Sequence, residues 1–453
     1  MDQQYLLSEG VRRTESTPCN RLAKMLSFFM IGTISWVSVT ALFAQASAFQ
    51  LAVPERAKIF SYIDTFMESG NIVPAFLFVF MSSEAQLRAY NTMLTYTICF
   101  FALGAMALLA FCWSIQLGGI SIFILFGAWV AGAVGSTSML VLFNFAGRYG
   151  RDAVSALSVG IGACGLVTNI LGIVQGLPKL KDGGKNNTDT TTVYLTQSPS
   201  SSINSSLTLD GKLLFGPTTY FIIVGLWIAV SCIFLKVAHS CKEWQIDEEH
   251  DDMHDNDENN SNKGSLNGGG IQFDGSKNSS QIIVQKVMDA KNSISIACKN
   301  NKSSMAAIFV SCFLEFAAPG LIPYQIPKGP NHASNSFWIT VFYLSGSLIG
   351  RLLTAVISFH HFTLLNIIQC GTIIYMLIVS KMEIVTIPVT ISIIIIGFGS
   401  AVHGYIVTEV FQLCREAGES ARASAVAGLA NQVGALLGSV FVFILVKTSF
   451  ISS

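Results

Sequence analysis

MLSFFMIGTISWVSVTALFAQASAF, residues 25–49, carries no charged side chain over 25 positions. At 1.5 Å rise per residue, about 20 apolar residues cross the hydrocarbon core of a bilayer. This stretch is long enough to span. Ten further blocks of the same kind occur, at 59–81, 92–113, 118–143, 152–177, 215–238, 304–323, 334–357, 362–380, 383–406 and 421–447. The fold class expected is an all-α polytopic membrane protein with eleven transmembrane helices. Composition agrees. Only 12% of the 453 residues are charged, about half the share of an ordinary soluble domain.

The net charge of zero hides an uneven layout, because nine acids lie between Glu243 and Glu258. They open a polar stretch, 239–303, rich in Asn, Ser and Gly with few aromatics. That composition cannot bury enough apolar surface to fold, so a disordered linker is expected. It divides the chain into a cytoplasmic N-terminal segment (1–24), a six-helix half (25–238), the linker (239–303) and a five-helix half (304–447). His250 and His254 stand four apart inside the linker, a spacing too weak there to suggest a metal. The ten Cys show no CxxC spacing and read as small packing residues. No metal and no cofactor are expected.

Short-loop Lys and Arg set the orientation of such proteins. Arg12, Arg13, Arg21, Lys24, Arg148, Arg151, Arg351, Arg415 and Arg422 fall on one side if the N-terminus is cytoplasmic. Arg56, Lys58 and Lys328 fall opposite. The N-terminal segment runs directly into the first span, as a retained anchor does. Loop 178–214 carries the sequons of Asn186 and Asn204, and glycosylation there would make that loop extracellular. Asn259, Asn278 and Asn301 head competing sequons in the linker. An odd span count then makes the C-terminus extracellular, in the plasma membrane.

No GxxxxGK[ST] phosphate loop and no soluble catalytic domain occur, which disfavours ATP-driven pumping and enzymatic activity. No nucleic-acid partner is indicated. Polar residues inside spans are expensive in lipid and mark cavities or helix contacts. In the second span Asp64, Glu68 and Asn71 share one helix face, and Pro74 frees backbone carbonyls. An acid as deep as Glu68 is the group that would couple uptake to protons. The first span carries Thr33, Ser35, Trp36, Ser38, Thr40 and Gln45. The fifth repeats Gly at 160, 162, 165, 172 and 176 and bears Asn169 and Gln175. In the seventh, Glu315, Pro319, Gly320 and Pro323 suggest a broken helix. The last carries Asn431 and Gln432 beside Gly434 and Gly438.

Taken in order, these segments resemble the eukaryotic riboflavin transporter family, of the same broad clan as the equilibrative nucleoside transporters. Ser35, Trp36 and Val37 match its first-span pattern, with Thr40 for Asn, Phe43 for Trp and Gln45 for Glu. Ser61, Tyr62, Asn71, Ile72 and Pro74 match in the second span, where Glu68 replaces Gln. Gly135, Thr137 and Ser138 fit a Gly-x-Thr-Ser run, and Ile161 takes a Glu position in the fifth span. PGLIPYQ and QVGALLG are similar to the seventh and last spans, and Tyr405 matches a Tyr before the final intracellular loop. Leu348-Ile349-Gly350-Arg351 looks instead like the nucleoside carriers' Gly-Arg, with Ser347 where those carriers hold Asp.

The resemblance implies a major-facilitator-like 6+5 arrangement and a secondary transporter for riboflavin or a related planar metabolite. A nucleoside carrier is the alternative, and a non-transporting receptor or scaffold the rival of another class. The partners expected are a small-molecule substrate and the lipid bilayer. A planar ring needs stacking and amide hydrogen bonds rather than charge. The substrate-binding residues expected are Trp36, Thr40, Gln45, Glu68, Asn71, Thr137, Gln175, Gln325 and Gln432, with Glu315 carrying less weight.

Overall fold

The computed structural model describes residues 18–80, 84–176, 214–241, 244, 302–326, 332–354, 356–382, 388–416, 420–448 and 450–451. Asn186, Asn204 and the linker sequons lie outside the described residues, as does most of the linker. The first helix, α1 (Pro18–Ala52), leads to a 3-10 turn at Arg56–Lys58 and then to α2 (Ile59–Ser69) and α3 (Ile72–Phe80). Next come α4 (Glu84–Cys112), α5 (Ile122–Gly147), α6 (Arg151–Gln175) and α7 (Pro217–Ser240). Beyond the linker are α8 (Lys302–Glu315), α9 (Ala318–Leu321), a 3-10 turn at Ile322–Gln325, α10 (His332–Leu353), α11 (Phe362–Met382), α12 (Val389–Glu416) and α13 (Ser420–Lys447).

Ten of the described helical stretches are long and apolar enough to cross a membrane, Lys302–Gln325 counting as one. This corrects the expected eleven. The span placed at 59–81 is two short helices rather than one. Gly70 N–H bonds the Met67 carbonyl and Val73 N–H bonds the Gly70 carbonyl, each at 3.0 Å. Pro74 has no N–H with which to restore the regular ladder. The break also lets the chain approach α5 closely, since a Cβ on Gly70 would lie 2.5 Å from the Ala133 nitrogen.

Other boundaries move for local reasons. The fourth expected span, 118–143, is α5 and begins at Ile122 rather than 118, because Gly118 and Gly119 take φ of 60° and 78° in a tight turn. Positive φ at both central positions is cheap only for residues such as glycine. The tenth expected span, 383–406, is α12, which starts at Val389 and continues to Glu416. The expected break of the seventh span is present: α8 ends at Glu315, and Pro319 and Pro323 occupy first-turn positions of α9 and of the 3-10 turn after it. Proline is tolerated there because those N–H groups lack intrahelical partners anyway.

The helices differ in how much they are covered. In α1, 83% of the most apolar window is buried, against 33% for α7 and for α11. So α1 is central, while α7 and α11 present side chains such as Leu226, Ile233 and Ile367 outward. An apolar exterior with backbone bonds closed inside each helix is what lipid requires. Small residues permit the close crossings within. A Cβ on Gly160 would sit 2.1 Å from the Phe29 carbonyl oxygen of α1, and one on Gly350 of α10 1.8 Å from the Ala401 oxygen of α12. Gly434 and Gly438 lay α13 against Phe309 and Phe313 of α8 in the same way. Such contacts supply packing where water-driven association is missing.

Candidate functional site

A narrow cleft of about 90 Å³ lies between α1, α5 and α6 on one side and α8, α10, α12 and α13 on the other. That is below the roughly 300–1,000 Å³ usual for small-molecule sites. Trp36, Val39, Thr40 and Phe43 line it from α1, a spacing that puts them on one helix face. Gly135 of α5 faces the indole, and a Cβ there would be in ordinary contact with the ring at 3.5 Å. Trp36 meets Phe316 at 5.9 Å between centroids and 45° between planes. Phe316 in turn stands edge-on to His403 at 6.3 Å. Phe316 occupies the unwound joint after α8, so the helix break delivers an aromatic ring to the cleft.

The polar wall is a connected chain. Glu315 accepts from the Ser400 hydroxyl at 2.7 Å and from the Gln369 amide at 3.4 Å. The Ser311 hydroxyl donates to Gln369 Oε1 at 2.8 Å and lies 3.0 Å from His403 Nδ1. The hydroxyl has one proton and gives it to Gln369, so Nδ1 of His403 is the donor in its own bond and Nε2 is left as the acceptor. The Tyr343 hydroxyl donates to the Glu315 carbonyl at 3.3 Å. Thr40 bonds back to the Trp36 carbonyl at 3.1 Å, which satisfies its proton and leaves its lone pairs to the cleft.

Arg351 of α10 also lines the cleft. Its Nε is buried without a partner. Gly162, twelve residues into α6, gives its arm space: a Cβ at 162 would lie 2.8 Å from Arg351 Cδ.

Of the nine expected substrate-binding residues, Trp36 and Thr40 line this cleft. Gln432 lines a smaller adjoining pocket with Pro74 and Met139, and both atoms of its amide lack partners. The others sit elsewhere. Gln45 donates to Gln175 at 2.6 Å, and Gln175 donates to the Phe215 carbonyl at 3.1 Å, tying α1 to α6 and the approach to α7. Asn71 donates to Glu68 at 2.5 Å and to the Gln432 carbonyl at 3.2 Å, docking the α2–α3 joint on α13. Gln325 spends its amide N–H groups on Leu321, Met376 and Ser380. Thr137 is buried with its hydroxyl unpartnered.

Arg351, His403, Ser400, Tyr343 and Asn431 were missed as site residues. Arg351 reads from sequence as a loop arginine at a span end. It is inside because α12 outruns α10. The loop after α10 folds back on α12, where the Tyr405 hydroxyl bonds Phe359 N–H at 2.5 Å and the Ile357 carbonyl at 3.0 Å. His403 lies in the middle of α12. The signal that could have found Arg351 is its register with Ser347, Leu344 and Tyr343 on one face of α10.

Residues 20–325 match the family model described as solute carrier family 52, riboflavin transporter. No curated protein matches the chain. Among solved structures, a POT family transporter in complex with 5-aminolevulinic acid aligns at TM-score 0.51 and 10% identity, over 94% of this chain and 91% of that one. The POT family transporter in complex with a thioalcohol-conjugated peptide gives the same values. A proton:xylose symporter of the major facilitator superfamily aligns at TM-score 0.49 and 11% identity, over 95% and 89%. At 10% identity the two POT family structures speak for a shared fold alone.

Proposed function

Because the chain belongs to the solute carrier family 52 riboflavin transporters, a family of multi-pass membrane carriers, we propose that its substrate is riboflavin itself. The observation that carries this reading is the aromatic pair of Trp36 and Phe316 in the cleft. The two rings come from opposite sides of the linker, one from α1 and one from the joint after α8. A planar heterocycle lying on them would touch both halves at once. Thr40 and Ser400, whose protons are already given to Trp36 and Glu315, offer acceptors to a polyol tail, and the Ser347 hydroxyl and Asn431 amide add donor groups beside them.

In this reading 25–238 and 304–447 are the two half-bundles, and they rock about the cleft to give alternating access. Binding is chemistry-free: the residues position and release the substrate, and no covalent step is asked of them. The carrier sits in the plasma membrane with its N-terminus cytoplasmic; α2 and α3 together make one broken crossing beside the ten long helices, which leaves the C-terminus extracellular.

Uptake of labelled riboflavin and labelled adenosine, measured in cells expressing the chain, tests the substrate. Riboflavin uptake is expected to exceed adenosine uptake and to saturate. Trp36→Ala should raise the riboflavin KM roughly tenfold at matched surface level, the worth of one ring stacked on an aromatic side chain. Adenosine uptake that is the larger of the two, and equally sensitive to Trp36→Ala, would assign the cleft to nucleosides.

A further inference from the structure

We infer that Arg351 selects the substrate by reading two adjacent hydrogen-bond acceptors on the edge of its planar ring. This rests on the riboflavin reading and deepens it. A guanidinium within a membrane-spanning bundle is expensive and normally has a partner. Here the guanidinium makes no hydrogen bond and no ion pair at contact distance among the described residues, Glu315 attracting it only from further off, and its Nε is buried without a partner. Glu315, the acid that shares the cleft, has its oxygens engaged by Ser400 and Gln369 instead. Gly162 leaves the arm its present place, since a Cβ there would lie 2.8 Å from Arg351 Cδ and push it aside. The missing partner is then supplied by what enters the cleft.

The geometry of the fork narrows that partner. Guanidinium is planar, donates from five N–H groups and accepts nothing. It pairs well with two acceptors side by side, as arginine does with the O6/N7 edge of guanine. The isoalloxazine ring offers such an edge twice, each time a ring nitrogen beside a carbonyl. Adenine offers an acceptor beside an amino donor, which a donor-only fork does not fit. A phosphate would also fit the fork, yet it would have to lie near the Glu315 carboxyl. Trp36 and Phe316 line the same cleft, and those rings favour a flat heterocycle there.

Competition against labelled riboflavin uptake tests the inference. The competitors are riboflavin, its phosphate ester, and the two deaza analogues in which one ring nitrogen beside a carbonyl becomes C–H. In the wild-type carrier at least one deaza analogue should compete roughly tenfold more weakly than riboflavin, the cost of a lost charge-assisted hydrogen bond. Arg351→Lys keeps the charge and loses the fork. At matched surface level it should weaken riboflavin by a similar factor and bring the analogues level with it. A residue with a merely structural role would change uptake without changing that ratio.

The wild-type series stands even if Arg351→Lys fails to reach the surface. Both deaza analogues competing as well as riboflavin would overturn the inference while leaving riboflavin as substrate. The phosphate ester competing better than riboflavin would overturn it in favour of an anion site. No riboflavin uptake at a normal surface level would reject the inference together with the substrate reading.

Discussion

Glu68 lies where α2 ends, with its carboxyl held by Asn71, and Asn71 also reaches the α13 backbone. Gln at this position keeps an acceptor for the Asn71 amide but cannot take up and release a proton. Glu68→Gln is therefore expected to reach the surface normally and to flatten the dependence of uptake on external pH. Identical pH profiles for the two proteins would mean that Glu68 acts as a helix clasp only. Gln45 offers a contrast, because its amide pairs with Gln175 away from the cleft. Gln45→Ala strips a buried partner, at about 1–3 kcal/mol. A lower Tm with unchanged riboflavin affinity is the expected result; a changed affinity with unchanged Tm would place Gln45 on the substrate instead. These residues show what was legible. Trp36 could be picked out as an aromatic ring deep inside a span, and Thr40 through the family resemblance, in which it stands for Asn. The buried amides could not be sorted, since an amide in a span reads the same whether it faces a ligand or a neighbouring helix. Arg351 was hidden by its position near a span end, and only the overhang of α12 brings it inside.

Breaks in the helices arise from residues that cannot do otherwise. Pro74 and the Pro319–Pro323 region mark the joints after α2 and α8; the second is expected from its prolines and glycine, whereas the first reads in the sequence as one continuous span. The length of α12 was not readable, because apolar composition gives no hydrogen-bonding reason to stop at 406 or at 416. Close crossings are equally silent in sequence, since glycine in a span looks the same with or without a neighbour. The structure separates the two cases. A Cβ on Gly132 would lie 1.9 Å from the Met67 carbonyl oxygen, while one on Gly104 would meet nothing within 4 Å. A backbone oxygen cannot rotate away, so Gly132→Ala must push α2 off α5 and should sharply reduce folded carrier at the surface. Gly104→Ala should be neutral or stabilising by about 0.5–1 kcal/mol, because alanine orders less backbone on folding. Equal thermal stability of the two variants would show that the α2–α5 approach tolerates a methyl group.

The whole molecule has two ends that its polar ties identify. At one end Arg21 bonds Asp152 at 2.9 Å, Lys24 bonds the Trp244 carbonyl at 3.3 Å, and the Trp244 indole bonds Asn20. The start of α1, the start of α6 and the chain leaving α7 therefore share that end, and the linker departs from it. The Gln45–Gln175 pair and the Leu214 N–H to Gln175 carbonyl bond, 2.7 Å, lie toward the other end. Loop 178–214 runs between those last two residues. Glycan on Asn186 or Asn204 and glycan on Asn259, Asn278 or Asn301 thus exclude one another. With the N-terminus inside, a glycosidase-sensitive mobility shift should vanish when Asn186 and Asn204 are both changed; a shift that persists until the linker sites are removed would invert the carrier. The same ties bear on the linker itself. Trp244 anchors its first residues to α1, so the half-bundle before it is complete without the rest of the linker. A segment that acts only as a tether needs only the reach to join two packed bodies. Deleting 245–295 spares Trp244 and leaves residues 296–301 to bridge to α8. Riboflavin uptake per surface molecule is then expected within about threefold of wild type. A deletion that reaches the surface with normal Tm yet transports nothing would show that the acidic segment takes part in the transport cycle.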